Sequence, residues 1–149
     1  MMLSIIELED FLRINDCDFE ILEHDTPIIS TQDATKYFDI EKAAPTFIMD
    51  TEQGLVALIV SSKYGRIDFK VMKQKLEISK CKMADKERIK TATGYEIGTI
   101  PLLGHNLPCI VDENLLSYDF IYGGSGDGLH TLKIAPNDIM RLNNVIKRI

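Results

Sequence analysis

YEIGTIPLLGHNLPCIVDENLL, Tyr95 to Leu116, decides how this chain is read. It sets Gly98, Pro101, Gly104 and His105 among isoleucine and leucine, more backbone punctuation than a connecting turn needs. Glycine admits positive φ and proline fixes it, so the stretch predicts a rigid, shaped loop. His105 follows Gly104 directly, where a loop can expose and aim a side chain. Upstream, Asp85 caps a helix over KERIKTAT that Gly94 ends. Downstream, PCIVDENLL reads as a strand followed by a helical turn.

The pattern extends in both directions. SIIELEDFLRIN has the apolar spacing of an amphipathic helix with Ser4 as its cap. DFEILEH alternates as a strand does. STQDATKYFDI starts like a helix at Ser30. APTFIMD and GLVALIVSS are strand-like runs joined by TEQG. The second is apolar throughout, as expected for a central strand buried on both faces. Asp68 caps FKVMKQKL, and CKMA is a short strand. YDFIYGG and GLHTLKIA are strands, and APNDIMRLNNVIKRI is a closing helix with Pro136 near its start. The expectation is one α+β domain over residues 1–149, a mixed, twisted β-sheet surrounded by helices.

With 149 residues, 45% hydrophobic and 27% charged, the chain can bury one ordinary core. No apolar run suits a membrane span, and the N-terminal stretch turns acidic at once, so a cytoplasmic protein is expected. Cys17, Cys81 and Cys109 lie far apart and give neither a disulfide framework nor a CxxC pair. The three histidines are scattered too, which argues against a structural zinc site. The net charge of −6 argues against a protein that coats nucleic acid. The charge is uneven: residues 1–52 hold 13 acidic and 3 basic side chains, whereas residues 70–90 hold 8 basic and 3 acidic. The basic segment is either a solvated face or a footprint for a few phosphates.

No GxSxG, Walker loop or strand-linked GxGxxG occurs. GGSGDG at 123–128 lies between two strands and lacks the helix N-terminus of a phosphate loop, so a hairpin loop accounts for it. His24, in LEHDTP, is either a surface partner of Asp25 or a pocket wall. His130 shares a strand face with Leu132 and Ile134, which favours a core or sheet-face role. The glycine-rich loops at 98–104 and 123–128 each adjoin a strand end. Facing one cleft, they would let backbone N–H groups approach a ligand.

The order of these motifs resembles the YbaK/prolyl-tRNA synthetase-associated family, the free-standing aminoacyl-tRNA deacylases and the editing domain of bacterial prolyl-tRNA synthetases. The resemblance runs from FEILEHDTP to LKIAPNDIM. It is most specific in TGYEIGTIPLLGH and IVDENLLSYDFIYGGSG, similar to the family's TGY-x-x-G-x-x-P-F-G loop and D-x-x-L…GG stretch. It implies a cleft for the 3′-terminal adenosine of tRNA and its esterified amino acid. Hydrolysis would use a positioned water, loop backbone groups and the substrate's own ribose hydroxyl, with no cofactor or metal. By the resemblance Gly98, Gly104 and His105 would be catalytic. His24, Thr46, Pro101, Gly123, Gly124 and Asp127 would bind substrate. The partner would be the acceptor end of an aminoacyl-tRNA, with no DNA or membrane, and the oligomeric state is left open. Two departures stand out. Leu102 or Leu103 replaces the loop's Phe, and Pro45 stands where active members carry a lysine before Thr46. Lys36, Lys42 or Lys63 could replace that lysine. The departure leaves two functions open, a deacylase acting in trans and a binding module for the tRNA end without hydrolysis.

Overall fold

The computed structural model describes residues 2–28 and 31–149. In chain order its elements are α1 (Ile5–Ile14), β1 (Phe19–Glu23), α2 (Thr31–Ala34), β2 (Thr46–Thr51), β3 (Gly54–Ile59), α3 (Phe69–Leu76), β4 (Cys81–Met83), α4 (Lys86–Thr93), β5 (Pro108–Val111), β6 (Ile121–Gly124), β7 (His130–Ile134), α5 (Pro136–Leu142) and β8 (Asn144–Arg148).

Local hydrogen bonding sets the helix ends. Ser4 accepts the backbone N–H of Glu7, and the Glu7 carboxylate accepts that of Ser4, a reciprocal cap for α1. Asp68 and Asp85 cap α3 and α4 through side-chain oxygens. Gly94 closes α4 at φ 82°, a left-handed conformation that glycine adopts without strain. The second helix is shorter than predicted: α2 is one turn, followed by a 3₁₀ turn at Ile40–Lys42 capped by Asp39. The predicted start at Ser30 lies outside the described residues.

The expected mixed sheet divides in two. One sheet is five-stranded, in the order β4-β2-β3-β5-β8, and the other is three-stranded and antiparallel, β1-β7-β6. β2 and β3 form a tight hairpin, with Thr51 paired to Gly54. β3 takes the central place its apolar run predicts, and its alternate side chains serve two cores. Leu55, Ala57 and Ile59 join Leu8, Leu12 and Ile89 of the helices and Ile121, Leu132 and Ile134 of the smaller sheet. Val56, Leu58 and Val60 pack with Met49, Ile110 and Met72, the latter from α3.

The C-terminal segment departs from the sequence expectation. The closing helix stops at Leu142, and Asn144–Arg148 form β8, parallel to β5. The Asn143 side chain donates to the carbonyls of Leu102 (2.9 Å) and Ile139 (3.1 Å), fixing the break. Val145 and Ile146 are β-branched and gain more on a pleated surface than in a last helical turn.

Where the sheets meet, main-chain bonds stitch them together. Ala44 N–H donates to the Tyr122 carbonyl at 2.7 Å, and Leu102 N–H donates to that of Gly124 at 2.9 Å. A cleft opens beside this seam.

Candidate functional site

The seam borders a cleft of about 480 Å³, a volume suited to a ligand of nucleoside size. Its apolar lining is Ile28, Ala34, Phe38, Ala43, Pro45, Phe47 and Val60, and its polar lining is Ser61, Ser62, Thr99, Asp127, His130 and Thr131, with glycine backbone at positions 98, 123, 124 and 128. Phe38 and Tyr122 stack within it, ring centroids 4.7 Å apart and 11° from parallel.

The glycines do two different jobs. A Cβ on Gly124 would lie 1.9 Å from the Ile100 carbonyl oxygen, and one on Gly123 would lie 2.6 Å from the Leu102 side chain. Here glycine lets β6 press against the 98–104 loop. Gly98 instead has φ +89° with nothing within 4 Å of an added Cβ. It allows a left-handed turn beside open space. The two glycine loops thus touch each other, and Gly98, Gly123, Gly124 and Asp127 all line the cleft.

His24 stands one hydrogen bond behind the wall. Its Nε2 shares a 2.7 Å hydrogen bond with Thr131 Oγ1, and its ring lies 4.2 Å from that of Tyr37. Its Nδ1 is buried and has no hydrogen-bond partner among the described residues. Burial, and secondarily nearby His130, lower its pKa. The imidazole therefore stays neutral at physiological pH and holds the Thr131 hydroxyl by dipole rather than charge. His130 does not join the core. It starts β7 half-buried at the rim, with Nδ1 3.5 Å from Asp127 Oδ2 and Nε2 4.0 Å from Glu23 Oε1.

Gly104 and His105 are not brought to the cleft. Gly104 packs against Leu3 and the Tyr95 hydroxyl, beneath α1. His105 is 2% exposed, and its Nδ1 accepts the Leu107 N–H at 3.1 Å, closing its own loop. Burial pushes its pKa down to about 4. Pro101 and Thr46 adjoin lining residues without lining the cleft. Pro101 is buried behind Gly124, and the Thr46 hydroxyl is buried with no hydrogen-bond partner among the described residues. Pro45 does face the cleft, and among the described residues no lysine lines it. Of the three candidate replacements, Lys63 pairs with Glu41 at 3.8 Å. Phe38 and Thr131 lie outside the two most specific motif stretches, and Tyr122 lies within one without being singled out there; their place at the cleft comes from the seam.

Ser61 and Ser62 are engaged by main chain: Ser61 Oγ accepts the Lys63 N–H, and Ser62 Oγ donates to the Ile40 carbonyl. Burial pushes the Cys109 thiol up to about 12. Among the described residues no histidine activates a serine or cysteine, and no cluster of metal-ligating side chains forms. The arrangement suits positioning and polarisation more than covalent catalysis.

Fold and cleft together define a mixed α+β domain with a cleft at the seam between its two sheets. Residues 25–142 match the aminoacyl-tRNA editing domain, and the chain belongs to that family. Among solved structures it is similar to a hypothetical protein at TM-score 0.84 and 19% identity, covering 97% of each chain. It is similar to a candidate trans-editing enzyme for prolyl-tRNA synthetase at TM-score 0.82 and 20% identity, covering 98% of this chain and 96% of that one. It also matches a candidate signal transduction protein from Marinobacter aquaeolei VT8 at TM-score 0.66 and 14% identity, covering 99% of this chain but 30% of the other. At such identities these likenesses speak for the fold. Among the described residues no helix is long and apolar enough to cross a membrane.

Proposed function

We propose that residues 1–149 form one editing domain that works in trans in the cytoplasm, hydrolysing the ester between a misplaced amino acid and the 3′ adenosine of tRNA. The observation that carries this reading is the cleft itself, where an aromatic pair, an apolar pocket and a row of polar groups meet over glycine backbone. The Phe38–Tyr122 pair offers a stacking face to the terminal adenine. The loops at Gly98 and Gly123–Gly124 place backbone beside the ester, while Thr131, held by His24, orients the reacting groups. Asp127 at the rim suits the substrate's ammonium group. With no protein nucleophile activated, a water assisted by the ribose hydroxyl attacks the carbonyl, and orientation supplies much of the rate.

The test is deacylation of tRNAs charged with Ala, Cys, Ser or Thr, at catalytic protein concentration, beside Thr131→Val. Turnover of one ester, reduced in the variant, supports the reading. Full turnover by Thr131→Val would remove the assigned site.

The lack of a lining lysine favours a second reading, a module that holds the tRNA end without hydrolysing it. Proline supplies neither charge nor N–H where the family resemblance implies a cation. Tight binding of tRNA with no turnover of any ester would decide for it.

A further inference from the structure

The basic segment of the sequence does not enter the cleft. The chain leaves β3 through Ser61, Ser62 and Gly65, all at the cleft wall, and turns directly into α3. Met72 buries the inner side of α3 against the five-stranded sheet, which leaves Lys70 and Lys75 exposed and Lys73 half-buried on the β4 side. Lys75 also borders a recess shared with Lys147 of β8. Three other basic residues are paired, Arg88 with Asp50, Lys90 with Glu96 and Lys63 with Glu41, whereas Lys80, Lys82 and Lys86 add unpaired charge beyond the helix among the described residues. Lys70, Lys73, Lys75 and Lys147 have no carboxylate partner among the described residues. Glu77, at the end of α3, is the acidic side chain bordering that recess.

The rest of the surface points the other way. The chain carries a net −6, and residues 1–52 concentrate acidic side chains. A polyanion is therefore repelled from most approaches and attracted at α3. The helix is about 12 Å long at 1.5 Å per residue; it begins four residues after Gly65 at the cleft and ends at the recess beside the β2–β3 turn, so its lysines are spread between the two.

We propose that the lysines ringing the solvent side of α3, Lys70, Lys73 and Lys75, together with Lys147 beside the recess, bind the phosphate backbone of RNA while the RNA's 3′ end occupies the cleft. This rests on the editing function for the identity of the RNA, a tRNA acceptor arm, but the phosphate contacts themselves do not require hydrolysis. Neutralised phosphates release counterions, so binding through these lysines has a defined salt dependence.

The experiment measures uncharged tRNA affinity against salt for the parent protein, for Lys70→Gln/Lys73→Gln/Lys75→Gln, and for the same three positions changed to Arg. Hydrolysis of a 3′-aminoacyl adenosine, which has no phosphodiester, is followed in parallel. The Gln variant should bind at least about tenfold more weakly, with a log–log salt slope shallower by about 2, at 0.7–0.9 per lost contact. The Arg variant should retain both affinity and slope. An unchanged slope in the Gln variant overturns the proposal, as does a parent protein that binds no tRNA. Hydrolysis of the small ester reports separately on the cleft. Its absence in the parent would count against the editing function while leaving the slope comparison decisive for these lysines.

Discussion

Asp112 Oδ2 accepts the backbone N–H of Ser61 at 2.9 Å, joining the start of the 113–117 turn to the end of the central strand. The same carboxylate accepts the Asn114 N–H through Oδ1 at 3.0 Å, and Asp112 is 1% exposed. The aspartate of the D-x-x-L motif thus acts as a fastener under the cleft wall rather than as a catalytic acid. Replacing it leaves two N–H groups without their acceptor. Asp112→Ala should cost about 2 kcal/mol or more of stability, and Asp112→Asn less, since its single amide oxygen still accepts. Urea unfolding of both variants checks this. Equal midpoints for Ala and parent would refute the fastening role.

The contrast between Gly124 and Gly98 gives a second prediction. Gly124→Ala drives a Cβ into the Ile100 carbonyl and must part the two loops, costing about 3 kcal/mol or more. Gly98→Ala meets no atom and carries only the strain of a left-handed alanine, about 1–2 kcal/mol. Thermal and urea unfolding of the pair should rank them in that order. The reverse order would mean that the loops do not meet as described. Gly104 is a poor probe of the cleft for a related reason. A side chain there strains φ +96° and displaces Leu3, so its effects report on folding.

These cases show what the sequence makes legible. Ser4, Asp68, Asp85 and Gly94 end helices where they were read, because capping is decided within four residues. The strand β8 was missed because its partner β5 lies far away in sequence, and Val145–Ile146 alone also fit a helical stripe. Of the residues that glycine punctuation picks out, Gly98, Gly123 and Gly124 line the cleft, whereas Gly104 and His105 lie in a turn under α1. Alternation favours a core or sheet-face role for His130, and as the first residue of β7 it lies where the sheet ends and the cleft begins. The stacking of Phe38 on Tyr122 joins segments with no local signal between them.

His105 predicts a pH dependence. Burial holds its folded pKa near 4, below the ordinary 6.5. Between these values the unfolded chain binds a proton that the folded chain refuses, so stability rises with pH there and is lost as pH falls. Across the whole window the loss amounts to about 3 kcal/mol, at 1.36 kcal/mol per unit. His24, whose pKa is also lowered, acts in the same direction. His105→Asn keeps an acceptor for the Leu107 N–H but removes the titrating group, so its stability should fall less between pH 7 and pH 4.5. Parallel stability–pH curves for the variant and the parent would show that His105 is protonated in the native state.

Pro45 allows the choice between the two functions to be forced. Its ring faces the cleft, and its carbonyl accepts the Val60 N–H at 3.2 Å, a bond any residue could keep. Pro45→Lys restores a cation at the position where the family resemblance implies one, within a cleft that otherwise has no lysine. A charge-assisted hydrogen bond to substrate is worth about 1.5–3 kcal/mol, so kcat/KM on a mischarged tRNA should rise about tenfold or more. If the parent is already a full deacylase that positions its substrate by Thr131 and the loops, the lysine should mainly lower KM. If the parent only binds, Pro45→Lys should create turnover where there was none. A variant that folds, binds tRNA as the parent does and gains nothing in either parameter would show that the ester does not pass over Pro45, and the substrate would have to be placed nearer Thr131.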